Sequence, residues 1–295
     1  MKLITYRFGD AELAGVLTRT ADAVVSFRDA GLPYTDMNAL IVSGDRLAVE
    51  RLRSVSEMSS HPAAVPVGEV EPQAPIPIPL QDVLCLGINY AAHATEAEHF
   101  HNDAFGKRLD TIYFSKRVNR ATADGEPVPA HRELVSSLDY EAELAVILGK
   151  DAYRVRPEDS ADYVFGYTIV NDISARNVQT THKQWYFGKS LDGFTPMGPC
   201  ITTADEIAFP PDLGIRSYVN GELRQNSSTK LLISGIPEIL SELSAGMTLK
   251  AGTIIATGTP AGVGMGFDPP RFLSPGDTVT CEIEKIGTLT NRICD

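Results

Sequence analysis

The chain has 295 residues, 43% hydrophobic and 22% charged, an ordinary globular composition with ample sequence for a core. A net charge of −12 argues against nucleic acid, whose binding rests on Lys and Arg neutralising phosphates. No apolar run reaches the ~20 residues of a membrane span, and Met1 to Asp10 lacks a signal-peptide core, so a cytoplasmic protein without membrane partners is expected.

Residues 1–70 read as a small N-terminal α+β domain. Met1 to Phe8 alternates as a strand does, Gly9-Asp10 turns, and Ala14 to Thr18 returns. Leu47 to Met58 places Ala48, Leu52 and Val55 at helical spacing. The prolines from Pro66 to Pro79 exclude a helix or a central strand, and residues 71–81 read as an extended linker to a second domain at 82–295. Cys85, Cys200, Cys281 and Cys294 form no C-x-x-C pair and read as reduced, mostly buried thiols.

The second domain opens with a buried-strand run, Asp82 to Tyr90. Ala91 to Phe105 then reads as a helix. His93 and Glu96, three apart, share one of its faces, and His99 and His101 follow. A carboxylate beside a histidine orients the ring and stabilises its protonated form, which makes a general-base pair; an ordinary surface ion pair fits the same spacing. Thr111 to Phe114 is a further strand, and Lys116 starts a basic loop.

Leu138 to Gly149 alternates with period two and predicts one strand. Asp139, Glu141 and Glu143 lie on one face, which turns apolar at Ala145 and Ile147. Two like carboxylates on one face repel unless a positive charge sits between them, and a hard divalent cation fits oxygen ligands. A solvated or edge-guarding face is the competing reading. Phe165 to Val170 is another buried strand that delivers Asp172 to its mouth, as a third carboxylate or as a helix N-cap. Trp185 to Pro199 reads as a positioned loop, neither helix nor strand, with Lys189 and Asp192 its charged residues. A lysine there is ordinarily a solvated charge. Val219-Asn220-Gly221-Glu222 marks a hairpin, Pro237 to Gly246 a short amphipathic helix, and Gly252 to Gly264 a strand entering a Gly-rich loop. That loop has neither Walker nor dinucleotide-fingerprint spacing. Ser274 to Glu284 and Gly287 to Asn291 close the chain as strands.

Several segments together resemble the fumarylacetoacetate hydrolase family, in its prokaryotic-type hydrolase/isomerase/decarboxylase branch. They are Gly87 to Glu96, Leu138 to Leu144, Asn171 to Gln179, Gln184-Trp185, Gly188 to Asp192, Pro196 to Pro199, Thr257 to Gly264, Leu273 to Asp277 and Gly287 to Asn291. The resemblance implies an α+β, β-rich fold: a mixed β-roll or sandwich catalytic domain behind a small N-terminal domain, assembled as a homodimer. It implies divalent-metal ligands at Glu141, Glu143 and Asp172, holding Mg²⁺ or Mn²⁺, with Ca²⁺ as an alternative. Lys189 matches the family's active-site lysine. His93 and Glu96 match a dyad on a mobile lid helix. Arg176, Gln179 and Thr259 match substrate-pocket positions, and Tyr90 and Lys116 match more loosely. Three features depart from the family pattern: the loop Asn119 to Pro127, the long histidine-bearing lid Ala97 to Leu109, and Lys285 where the family has glycine.

The function this implies is metal-dependent hydrolysis of a carbon–carbon bond in a small 2,4-dioxo acid or acylpyruvate of aromatic catabolism, such as a fumarylpyruvate, maleylpyruvate or fumarylacetoacetate-like acid. Oxaloacetate decarboxylation, and keto–enol or double-bond isomerisation of the 2-hydroxyhepta-2,4-diene-1,7-dioate type, pass through the same enolate and stay open. A non-catalytic binding protein on the same fold is the alternative from another class.

Overall fold

The computed structural model describes residues 1–101 and 111–295, with residues 97–101 described by their backbone alone. The expected lid over Ala97 to Leu109, with His99 and His101, lies outside what is described in side-chain detail. The helix of that region runs Ala91–His101.

The architecture is mixed and strand-rich, built on an eleven-stranded sheet. Its order is Val65–Pro66, Ala23–Ser26, Ala11–Leu17, Lys2–Phe8, Met197–Thr203, Val164–Asn171, Ala142–Leu148, Ile254–Ala256, Val83–Gly87 and Ile112–Lys116. Glu71–Gln73 pairs with Lys2–Phe8 off this path. A five-stranded sheet carries Glu222–Ser228, Gly214–Val219, Thr278–Ile283, Gly287–Cys294 and Val128–Pro129. Residues 1–70 and 82–295 thus share one sheet, joined where Lys2 and Leu3 pair with Thr202 and Ile201. Part of the proline-punctuated stretch 71–81 is itself a short strand in that sheet. It fits because it pairs on one side only, where a proline costs no ladder bond.

The strand Ala142–Leu148 shows why the catalytic half folds as it does. Every residue of it is buried. Ala142, Leu144, Val146 and Leu148 enter one core, shared with the five-stranded sheet and the helix Ile236–Ser244. Ala145 and Ile147 enter a second core, shared with the N-terminal helices Met37–Ser43 and Arg46–Ser56. A one-residue slip would exchange the two sets and drive Glu143 into the wrong core. Each misplaced large apolar side chain forfeits roughly 1.5–3 kcal/mol, and a few of these rival the whole stability of a domain.

Three local expectations are corrected. The stretch 138–149 is not one strand: Leu138–Asp139 pairs with Ser174–Ala175, and regular pairing resumes only at Ala142 opposite Asn171. Tyr140 and Glu141 fall in the break, where the Asn171 side chain accepts from the Glu141 N–H at 3.0 Å. Asp172 is no N-cap, since the helix Arg176–Thr181 starts from Ala175 without a side-chain cap. The segment after Trp185 contains a short helix, Tyr186–Lys189, and the strand Met197–Thr203. Lys285 sits at φ +65°, in the left-handed region that favours glycine, which accounts for the family's choice there.

Candidate metal centre and catalytic site

Glu141 leaves the interrupted strand, Glu143 lies within the regular part, and Asp172 follows the neighbouring strand Val164–Asn171. The adjacent antiparallel strands bring the three carboxylates together. One oxygen from each lies within 4.8 Å of the others, and all three residues are buried.

Three cations surround them. The Lys189 ammonium donates to Glu141 Oε2 at 2.7 Å and Asp172 Oδ2 at 2.6 Å. Arg176 Nη2 lies 2.6 Å from Glu141 Oε1, while its Nε donates to Asp139 Oδ2 at 2.9 Å. Lys116 donates to Asp172 Oδ1 and to the carbonyls of Ile173 and Phe194 at 3.2 and 2.7 Å. Among the described residues, four buried carboxylates, with Asp139, therefore face three buried cations, leaving one negative charge in excess.

The excess falls on Glu143. Burial, then repulsion from Asp172 and Glu141, pushes its carboxyl well above the usual range. Its hydrogen bond from the Gly258 N–H, 2.8 Å, offsets this only in part. Burial also works against charge on Glu141, but Lys189 and Arg176 overcome it and hold that carboxyl below its ordinary value. The Lys189 ammonium is held charged by Asp172 and Glu141 against the cost of burial. Three oxygen ligands with one uncompensated charge suit a hard divalent cation, so the donor set fits Mg²⁺, Mn²⁺ or Ca²⁺.

The cluster opens into a small cavity. His93, Glu141, Glu143, Arg176, Gln179, Lys189 and Thr259 line it, together with Leu86, Gly87, Ile88, Phe114, Trp185 and Met265. His93 Nδ1 lies 3.3 Å from Glu96 Oε2, which leaves Nε2 as the nitrogen for the cavity. Thr259 spends its hydroxyl on the Ala142 carbonyl at 2.9 Å, so it offers the cavity only acceptor capacity or its methyl group.

Two expected substrate residues do not face this cavity. All three ammonium protons of Lys116 are taken by Asp172, Ile173 and Phe194, so it braces Asp172 from behind. Tyr90 borders a separate hollow with Asn226, Ser227 and Pro260. Its buried hydroxyl has no hydrogen-bond partner among the described residues, and burial raises it above its ordinary pKa.

Several residues of the site escape sequence reasoning. Trp185 and Phe114 meet edge to face, 5.3 Å between ring centres, and form the apolar wall. Gln225 accepts from the Ala142 N–H at 3.1 Å and donates to Thr259 Oγ1 at 2.7 Å, fixing the Gly-rich loop to the strand. Nothing local in a hairpin strand marks it. Asp139 accepts from the N–H groups of Tyr140, Gly264 and Met265 at 3.0, 2.6 and 3.1 Å. Its place on the acidic face of 138–149 is the one signal that singles it out.

The profile of the fumarylacetoacetate (FAA) hydrolase C-terminal region matches residues 82–294. Oxaloacetate tautomerase YisK of Bacillus subtilis (strain 168) is 45% identical over 263 residues, covering 86% of this chain and 84% of its own. The fumarylacetoacetate hydrolase of psychrophilic Exiguobacterium antarcticum superposes with a TM-score of 0.83 at 36% identity, over 100% of this chain and 99% of that one. A 2-hydroxyhepta-2,4-diene-1,7-dioate isomerase from Mycobacterium marinum gives a TM-score of 0.71 at 29% identity, over 100% and 98% of the two chains. With the profile spanning the whole second half of the sheet system and the site it carries, the chain belongs to the fumarylacetoacetate hydrolase family.

Proposed function

We propose that this family member is a divalent-metal-dependent enzyme that interconverts the keto and enol forms of a short 2-oxo diacid, with oxaloacetate as the first substrate to test. The observation that carries the reading is the meeting of a carboxylate cluster and a proton-transfer group, His93, in a single cavity. Oxaloacetate is named for the Bacillus subtilis relative, 45% identical to this chain.

Keto–enol exchange needs no second reactant. A proton leaves C3 and a proton joins the 2-oxo oxygen, so one imidazole can take the first and return the second. Glu96 holds His93 Nδ1, stabilises the imidazolium formed in between and leaves Nε2 free to exchange the proton. A divalent cation held by Glu141, Glu143 and Asp172 would supply positive charge for the oxygens of the 2-oxo acid, favouring negative charge that develops there. Lys189 adds a fixed positive charge at the same place. Arg176 is tied to Asp139, Glu141 and Gln179, so it stiffens the acidic side of the cavity. Phe114, Trp185 and Met265 keep bulk water from the apolar side.

The test follows the enol absorbance of freshly dissolved oxaloacetate with added Mg²⁺ or Mn²⁺. Decay faster than in buffer, without pyruvate, is expected. Replacing His93 by Ala should lower kcat by about 10²- to 10⁴-fold with metal affinity kept. Buffer-like decay, or wild-type turnover in the His93 variant, would overturn the reading.

Carbon–carbon bond hydrolysis of a 2,4-dioxo acid is the second reading. The Exiguobacterium antarcticum hydrolase, with a TM-score of 0.83, favours it, and the Trp185–Phe114 wall could seat a longer acyl tail. His93 would then take a proton from water. Pyruvate plus an organic acid marks that outcome, pyruvate plus CO₂ marks decarboxylation, and a shifted double bond marks isomerisation.

A further inference from the structure

The first turns of the helix Ala91–His101 rest on the turn Gly264–Gly266. Glu96 makes the junction. Its Oε1 accepts from the Gly262 N–H at 2.8 Å, while its Oε2 lies 3.3 Å from His93 Nδ1. One carboxylate therefore touches both the loop beneath the helix and the ring that faces the cavity.

The loop is shaped for this contact. Gly262 has φ +106°, and a Cβ there would run into the Arg224 carbonyl, so only glycine fits. The Tyr140 hydroxyl donates to the Gly262 carbonyl at 2.7 Å. At Gly266 a Cβ would stand 2.6 Å from the Glu96 carboxyl carbon. Asp139 pins the same loop from the other side, accepting from Gly264 and Met265 at 2.6 and 3.1 Å. Asp139 also holds Arg176 Nε at 2.9 Å, and Arg176 reaches Glu141.

The geometry points to Asp139 and the 262–266 loop as positioning elements for the reaction. The loop selects one rotamer of Glu96 and thereby one orientation of His93. Asp139 ties that loop to the Arg176–Glu141 side of the carboxylate cluster. A glutamate on a helix has several rotamers, and only some place a carboxylate oxygen at Nδ1; the Gly262 N–H and the space above Gly266 leave it one. This inference rests on the reading of His93 as the proton-transfer group.

The experiment uses the full chain loaded with Mn²⁺ and the variants Gly266→Ala, Asp139→Asn, Glu96→Gln and His93→Ala. Its readouts are kcat and KM, calorimetric Mn²⁺ affinity, and hydrogen–deuterium exchange of amides 91–96. Gly266→Ala should displace the Glu96 carboxylate. Its kcat should fall about 10- to 100-fold, exchange over 91–96 should rise, and Mn²⁺ affinity should stay as in wild type. Asp139→Asn cannot accept all four N–H groups, so it should show faster exchange and also bind Mn²⁺ about tenfold more weakly. Glu96→Gln keeps a carbonyl for Gly262 but loses the carboxylate at Nδ1, so exchange should stay low while kcat falls. If Gly266→Ala does not fold, Tyr140→Phe, which removes the hydroxyl that donates to the Gly262 carbonyl and faces Arg224, should raise exchange over 91–96 and lower kcat. Wild-type kcat and exchange in Gly266→Ala or its substitute, with His93→Ala inactive, would overturn the positioning role alone. Wild-type turnover in His93→Ala would remove the functional reading and this role together.

Discussion

The Lys189 ammonium stands 2.6 Å from Asp172 Oδ2, inside the carboxylate cluster rather than beside it. Its charge, with those of Lys116 and Arg176, leaves Glu143 as the carboxylate that lacks a cation of its own. An additional cation at the site would displace the proton that burial favours on Glu143 and take its carboxylate as a ligand.

Glu143→Gln should separate stability from metal binding. Without metal the variant should melt a few degrees above wild type, because folding no longer has to protonate a buried carboxylate that is charged in the unfolded chain. Mn²⁺ at about 100 times its Kd should stabilise wild type by about 2.7 kcal/mol and the variant far less. Thermal melts with and without Mn²⁺ check both halves.

Lys116→Met should act on the fold and not on substrate contact. It removes a fully buried cation from Asp172 and leaves two carbonyls without their donor. Breaking such a buried pair costs about 3–5 kcal/mol, readable as a lower urea midpoint at an unchanged slope. Variant protein that retains its stability but loses substrate affinity would return Lys116 to the cavity.

Gly87→Ala should move the apolar wall. A Cβ at that position would run into the Trp185 ring. Trp185 is the chain's single tryptophan, so its emission reports the wall directly. A red-shifted emission and a raised KM with kcat less affected are expected, as for loss of uniform binding. Unchanged emission would mean that the loop absorbs the methyl group.

Acid stability should depend on Asp205, far from the cavity. Despite the cost of burial, its bond to Arg53 lowers its pKa from 3.8 to about 2. Between these values the unfolded chain binds the extra proton, so the contribution is full above 3.8 and is lost as pH falls towards 2. Asp205→Asn should therefore lose less stability on acidification across that window, measured by urea unfolding at stepped pH. The pair is partly exposed and the effect should shrink with added salt.

Much of the site is readable because its pieces are local. His93 and Glu96 meet as their spacing of three on a helix requires. The alternation of Ala142 to Leu148 divides correctly between two cores. The break at Tyr140–Glu141 is not readable, because it depends on the Asn171 side chain from the next strand replacing a ladder bond. Trp185, Gln225 and Asp139 take their roles from partners on other elements, and no periodicity marks those contacts.

The sequence by itself determined which residues lie on which face of a strand or helix, since that depends on neighbours two to four positions away. It also determined, through its motifs in register, the family. Tertiary structure alone decided how the charges of the site balance. Lys116 reaches Asp172 across 56 positions, Lys189 reaches it across 17, and Lys189 reaches Glu141 across 48. Whether a lysine is a solvated surface charge or a buried counter-ion is set by what packs around it. That packing made Lys189 part of the cluster, turned Lys116 into its support, and left Glu143 without a cation of its own.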